Sequence, residues 1–325
     1  MCKRLQKKII SVFLDKSERT FLMKIIDGHA HVCEHINGYG SQGELRAIGN
    51  GLAQYASGQQ FRMIPEGLGD FGCSPETLIQ VMDKHNVEKA VLLQGMYLGF
   101  QNLYTYEAIK KYPDRFVGAA TYDPFTRNKS KIIHHLFDEL GFGIIKMEVS
   151  NSSGLMSNHD TVDLNGPLMY EVYAMANERK LVFVIDIGRP GNDCHQVDNL
   201  REAILRYPNM KFVICHLGSH QINQLDLLKE NVAKLSLPNV WFDLASVPNN
   251  TKPDKYPFLT ALTYVETAKD IVGAQKLIWG SDMPSALNYD SYEHLISYLR
   301  DSKKFTNEEL KMIFYQNAVD VYFCR

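Results

Sequence analysis

Two histidines set two apart, His29 and His31, close an apolar run that reads Ile25-Ile26-Asp27-Gly28-His29-Ala30-His31-Val32. A short run rich in β-branched residues reads as a buried strand. Side chains two apart on a strand leave from the same face, so both imidazoles can converge on one point. Converging neutral nitrogen donors are what a divalent metal ion takes as ligands. The pair alone is weak evidence, because two histidines can also fall by chance where a strand frays. Other runs end in polar residues too. His216 follows Phe212-Val213-Ile214-Cys215 and precedes Leu217-Gly218, and Asp282 lies in Ile278-Trp279-Gly280-Ser281-Asp282-Met283-Pro284. Asp186 lies in Phe183-Val184-Ile185-Asp186-Ile187-Gly188, and Lys146 and Glu148 fall at the end of the run 143–149. A single such group is commonly a hydrogen-bonded structural residue, and Lys146 and Glu148 are read that way. Several buried imidazoles and carboxylates gathered at one end of an apolar body are costly unless paired or bound to metal. His29, His31, His216 and Asp282 together therefore point to chemistry.

The elements that must position them recur in order. Apolar runs at 25–31, 89–94, 116–121, 143–149, 181–187, 211–216, 240–245 and 276–281 read as eight strands, with helical periodicity between them. Ser74-Pro75-Glu76-Thr77 is a serine cap ahead of a first-turn proline. Asn165-Gly166-Pro167 precedes a helix running to about Arg179, and Thr306-Asn307-Glu308-Glu309 opens the last one. Alternating strand and helix implies a parallel sheet, and eight such units close into an α/β (β/α)8 TIM barrel. A doubly wound sheet is the alternative, but no Gly-x-Gly-x-x-Gly turn follows a strand. Barrels of this kind carry their chemistry at the C-terminal ends of the strands, where the polar residues above fall. Residues 37–73 break the rhythm. They hold nine of the 22 glycines with no clear period and read as a long loop after the first strand, placed to cover the site. On it, Tyr39 and Phe61 are expected to pin the loop, while Arg62 either pins it or meets substrate.

Composition sets bounds. With 325 residues, 45% of them hydrophobic, the chain can bury a large core as one domain, 24–325, behind an N-terminal extension, 1–23. That extension is basic at Lys3, Arg4, Lys7 and Lys8 but lacks the long apolar run and small-residue site of a signal peptide, and Met23 is a possible alternative start. A net charge of −2 and a pI near 6.6 give no reason to expect nucleic acid or a membrane surface as partner. No run approaches the roughly 18 apolar residues of a membrane helix. Six scattered cysteines without a Cys-x-x-Cys pair favour reduced thiols and a cytoplasmic location. Cys33 and Cys215 are expected to pack, His134-His135 to lie on a helix surface, and His35, His195 and His220 to be ordinary loop residues.

Asp-Gly-His-Ala-His at 27–31, Cys-His-Leu-Gly at 215–218 and Trp-Gly-Ser-Asp-Met-Pro at 279–284, in this order, resemble the amidohydrolase superfamily, in particular its amidohydrolase-2 branch. The resemblance spans the chain from about Lys24 onward. It implies one divalent metal ion, zinc first, held by His29, His31 and Asp282, with Asp282 also a proton acceptor. His216 would hydrogen-bond the attacking water or polarise the substrate. On the fifth strand the branch usually places a histidine ligand, and this chain has Asp186 there. Asp186 either binds the metal as a harder ligand favouring manganese or magnesium, orients a ligand histidine, or leaves a site that binds metal poorly. Arg189, just after that strand, either pairs with a substrate carboxylate or decorates a surface turn. The implied function is metal-dependent hydrolysis of a small carboxylated or lactone-like substrate. The alternative is nonoxidative decarboxylation, similar to aminocarboxymuconate-semialdehyde decarboxylase, and a barrel that only binds its ligand is a third possibility. Relatives in the branch are often homodimers, so a homodimer is expected.

Overall fold

The computed structural model describes residues 23–324, so the reading of an extension before Met23 falls outside the described residues. β1 (Ile25–Ala30), buried throughout, is followed by a small antiparallel sheet, β2 (Asn37–Gly40), β3 (Gly43–Gly49), β4 (Leu52–Tyr55) and β5 (Gln60–Arg62). Seven further strands come next: β6 (Val87–Leu92), β7 (Phe116–Gly118), β8 (Ile144–Glu148), β9 (Val182–Asp186), β10 (Phe212–Ile214), β11 (Val240–Asp243) and β12 (Leu277–Ile278). They run parallel, β1 with β6 and β7, and β8 through β12 in sequence. Two bridges join these sheets. Ala120 pairs with Ile145 between β7 and β8, and Ala30 pairs with Met283 between β1 and the segment after β12. The eight expected strands are all present, seven of them shorter than their apolar runs and the second, Val87–Leu92, starting two residues earlier than 89–94, and the chain is a TIM barrel.

The alternation of side chains decides what fills it. Ile26, Val91, Ile144, Val182, Val184, Val213 and Ile278 form one cluster, which Val321 and Tyr322 of the last turn (Val319–Phe323) join. The residues of opposite parity, such as Ala90, Phe116, Ile145, Phe183, Phe212 and Leu277, pack with the helices in a second cluster. Helix starts follow the sequence signals. Ser74 accepts from the Thr77 amide at 3.1 Å with Pro75 in the first turn, and Thr306 and Glu309 form a reciprocal capping box.

The segment 37–73 differs from expectation. It is a four-stranded antiparallel sheet rather than a loop. Its period-2 burial is confined to the four-residue strands β2 and β4, and short glycine-rich strands give little apolar signal. Phe61 does hold it in place, its ring 5.6 Å from Tyr55 and stacked 6.1 Å from Tyr97. Tyr39 does not: its side chain is exposed, and only its backbone amide, donating to the Met96 carbonyl, ties it down.

Candidate active site

His29 and His31 reach the barrel mouth through an irregularity in β1. Strict alternation from the inward Ile26 would turn Gly28 and Ala30 inward, but the register with β6 shifts between Asp27 and Ala30. Asp27 braces the shift. Fully buried, it accepts hydrogen bonds from the His29 amide (3.1 Å), the Ser281 amide (2.9 Å), the Ser281 hydroxyl (2.5 Å) and Tyr292 (2.8 Å). Asp282 stands across from the histidines, its amide donating to the His29 carbonyl at 2.8 Å. Its Oδ1 lies 3.0 Å from His31 Nε2 and 3.7 Å from His29 Nε2. His29, His31 and Asp282 form one group able to hold a metal ion, and His29, His216 and Asp243 form another.

The hydrogen bonds fix the tautomers. His29 Nδ1 lies 2.9 Å from Asp243 Oδ2, His31 Nδ1 2.8 Å from the Leu93 carbonyl, and His216 Nδ1 3.0 Å from the Ala245 carbonyl. Carboxylates and carbonyls only accept, so each ring donates from Nδ1, and a ring that is neutral then carries its lone pair on Nε2. His29 Nε2 is buried without any partner, and His216 Nε2 sits 3.6 Å from Asp186 Oδ2. Three Nε2 atoms and two carboxylates thus face one space, and His31 Nε2 stands 3.0 Å from Asp282 Oδ1, a contact that takes either a proton or a cation between them. That donor set suits a divalent cation.

Charge and backbone also mark the site. Burial pulls the His29 imidazole down to about 4 against the raising pull of Asp243, so the ring is neutral. Burial would raise Asp282 and Asp243, but contact with His31 and the fields of His216 and His29 hold the first carboxyl low, and His29 holds the second. His216 is raised, because Asp282, Asp186 and Asp243 outweigh its burial. His216, Ser246 and Asp282 all adopt left-handed backbone, φ 59°, 57° and 59°. Non-glycine residues in that region cost about 1–3 kcal/mol each and gather at functional sites.

Asp243 and Ser246 are functional candidates that the sequence reading passed over. Fully buried, Asp243 joins His29 to the His216 and Ala245 amides, 2.9 and 3.1 Å from its Oδ1. The Ser246 hydroxyl donates to Asp282 Oδ2. Asp243 ends β11, so the rule that singled out the other strand ends applies to it as well. Asp186 lies beside His216 rather than within the His29–His31–Asp282 group, its Oδ1 accepting from the Gly188 amide at 2.8 Å.

A cavity of about 650 Å³ opens above these groups. The small sheet walls one side with Tyr55, Phe61 and Arg62, while Arg189 and Lys252 stand on the other. Arg62 donates to the Asn50 carbonyl at 2.7 Å, and Arg189 is exposed and makes no side-chain hydrogen bond or ion pair among the described residues. Lys146 and Glu148 also line the cavity. His195 and His220 are more than loop decoration. Asn231 Nδ2 bridges their Nε2 atoms at 3.2 and 3.0 Å, and their Nδ1 atoms donate to the Gly188 and Leu217 carbonyls. His35 is exposed, as are His134 and His135, which meet Asp138 and Glu139. Cys215 packs. Cys33 packs against a cysteine after all, exchanging both backbone hydrogen bonds with the buried, free Cys73.

The amidohydrolase family model matches residues 26–324, nearly all of the described chain. The chain belongs to the amidohydrolase family, in its amidohydrolase-2 branch. No curated protein matches it by sequence. Solved structures do match. A probable 2-pyrone-4,6-dicarboxylic acid hydrolase from Acinetobacter baumannii, crystallised with citric acid, is 19% identical with a TM-score of 0.66 over 92% of this amidohydrolase and 99% of its own chain. An amidohydrolase from Burkholderia multivorans with bound zinc is 14% identical with a TM-score of 0.67, covering 93% and 99%. A 5-carboxyvanillate decarboxylase from Sphingomonas paucimobilis is 13% identical with a TM-score of 0.54, covering 76% and 82%. These likenesses concern the fold. Among the described residues no helix is long and apolar enough to cross a membrane.

Proposed function

We propose that this amidohydrolase is a metal-dependent hydrolase of a small carboxylated or lactone-like substrate. The convergence of three Nε2 atoms, from His29, His31 and His216, on the Asp282 and Asp186 carboxylates carries the reading. His29, His31 and Asp282 would hold the ion, with Asp186 flanking it beside His216. Imidazole with carboxylate suits zinc first, and the extra carboxylate in place of a histidine leaves manganese or magnesium open. When bound, such an ion brings the pKa of water towards neutrality and polarises a carbonyl oxygen.

The chain supplies the rest. Asp282, oriented by the Ser246 hydroxyl, takes the proton of the attacking water and returns it to the leaving group. His216, its ring fixed by the Ala245 carbonyl, accepts from the water through Nε2, or, in the protonated form its carboxylate neighbours favour, donates from Nε2 to the substrate carbonyl. Arg189 has its whole guanidinium free for a substrate carboxylate, and Arg62, held by its own loop, borders the same space. Incubation of the purified protein with lactones and carboxylated esters in ¹⁸O-labelled water tests the proposal. One ¹⁸O in the new carboxylate is expected, and release of carbon dioxide without label would establish decarboxylation instead.

A further inference from the structure

Lys146 has no function in the scheme above, and its surroundings are unusual. It is 3% exposed, yet its ammonium makes neither a hydrogen bond nor an ion pair with any described residue, and it lines the cavity. Against its burial, the fields of Cys215, Glu148, Asp186 and Asp243 keep the ammonium charged without a direct contact, so its hydrogen-bonding positions are open to an anionic group from a ligand. Glu148, two residues on and on the same face of β8, is its counterpart. Its Oε1 accepts from the Ser153 and Ser150 hydroxyls at 2.7 and 3.2 Å, which fixes the carboxylate. Its Oε2 makes no hydrogen bond among the described residues. That oxygen lies against Gly95, where a Cβ would overlap it, so the position of Glu148 depends on a residue without a side chain. Tyr55 and Tyr97 also line the cavity and make no hydrogen bond to either oxygen among the described residues, leaving Oε2 an open acceptor.

We propose that Lys146 and Glu148 form a specificity subsite for a hydroxycarboxylate, the ammonium taking the substrate carboxylate and Glu148 Oε2 accepting from the neighbouring hydroxyl. This rests on the reading of the cavity as the substrate site and adds to it the second polar group the substrate carries. A ligand bearing only a carboxylate leaves Glu148 facing it without a donor, which costs affinity. The pair therefore selects for the hydroxyl as well as for the charge.

Binding of malate, O-methylmalate and succinate to the protein as purified, read by calorimetry or ligand-observed NMR, tests this. Malate is expected to bind roughly tenfold or more tightly than the other two, the scale of a hydrogen bond to a charged acceptor. Glu148→Ala should bring the three ligands together by weakening malate and relieving the cost on succinate, and Lys146→Met should weaken all three alike. Equal affinities in the unmodified protein, no binding of any of the three, or a hydroxyl preference that survives Glu148→Ala overturns the proposal. If a variant fails to fold, the comparison of malate with O-methylmalate on the unmodified protein decides alone, since only the former can donate to Glu148. Hydrolysis with no hydroxyl preference removes the subsite and keeps the reaction. Selective binding with no labelled product removes the reaction and keeps the subsite.

Discussion

Asp243→Asn replaces one oxygen by an amide and, by the geometry of the site, should change the tautomer of a neighbouring ring. Asp243 Oδ1 receives two backbone amides, from His216 and Ala245, so an asparagine keeps its oxygen there and turns its NH₂ towards His29 Nδ1. That nitrogen must then accept, which moves the ring proton to Nε2, the buried atom that has no protein partner. A protonated Nε2 cannot bind metal. Flipping the amide restores the ring but sets the NH₂ against two backbone donors in a site with no exposure. Loss of such an orienting carboxylate costs roughly 10–100-fold in metal affinity, about 1.4–2.7 kcal/mol. Competition with a chromogenic chelator, alongside elemental analysis, measures it, and a thermal melt checks folding. A folded variant whose affinity stays within about threefold of the parent refutes the assignment of the His29 tautomer.

Asp282→Asn should lower turnover by roughly 10²–10⁴-fold, the usual range for a positioned proton acceptor, as read by steady-state kinetics on any substrate that the labelling screen identifies. Gly28→Ala should destabilise the barrel seam by about 1–3 kcal/mol, because overpacked cores pay on that scale. Its Cβ would lie 2.5 Å from Ile278 Cγ2 and 2.9 Å from the Trp279 carbonyl oxygen, and a melting temperature unchanged from the parent would contradict the close approach. Burial lowers His220 from its ordinary 6.5 to about 4, so the native state holds it neutral. The stability this contributes is complete above pH 6.5 and is lost as the pH falls through about 4, up to roughly 3 kcal/mol. Urea titrations across that range should show the loss, and His220→Leu should flatten it at a lower overall stability.

Much of this was legible from single residues. The barrel strands announced themselves because buried parallel strands are continuous β-branched and aromatic runs, as in Phe183–Ile185 and Phe212–Ile214. His29, His31, His216 and Asp282 stood at strand ends and meet at one mouth. Asp243 escaped notice although it too ends a strand, because an isolated aspartate after Trp241-Phe242 carries no motif. The sheet at 37–73 was hidden by its glycines, which supply turns and close approaches but no apolar alternation. The left-handed backbone at His216 and Asp282 could not be read at all, since nothing in a histidine or aspartate advertises it. Nor could the shift in β1 register that aims the first two histidines, or the missing partner of Lys146, which depends on distances between strands.

The central claim is that a divalent ion is held by His29, His31 and Asp282 and is needed for hydrolysis. Elemental analysis of the purified protein, paired with turnover before and after chelation, tests it most directly. About one equivalent of zinc, manganese or magnesium per chain, lost on His29→Ala together with activity and restored to the parent by adding the metal back, is the predicted result. A metal-free protein that hydrolyses its substrate undiminished by chelation would contradict the account.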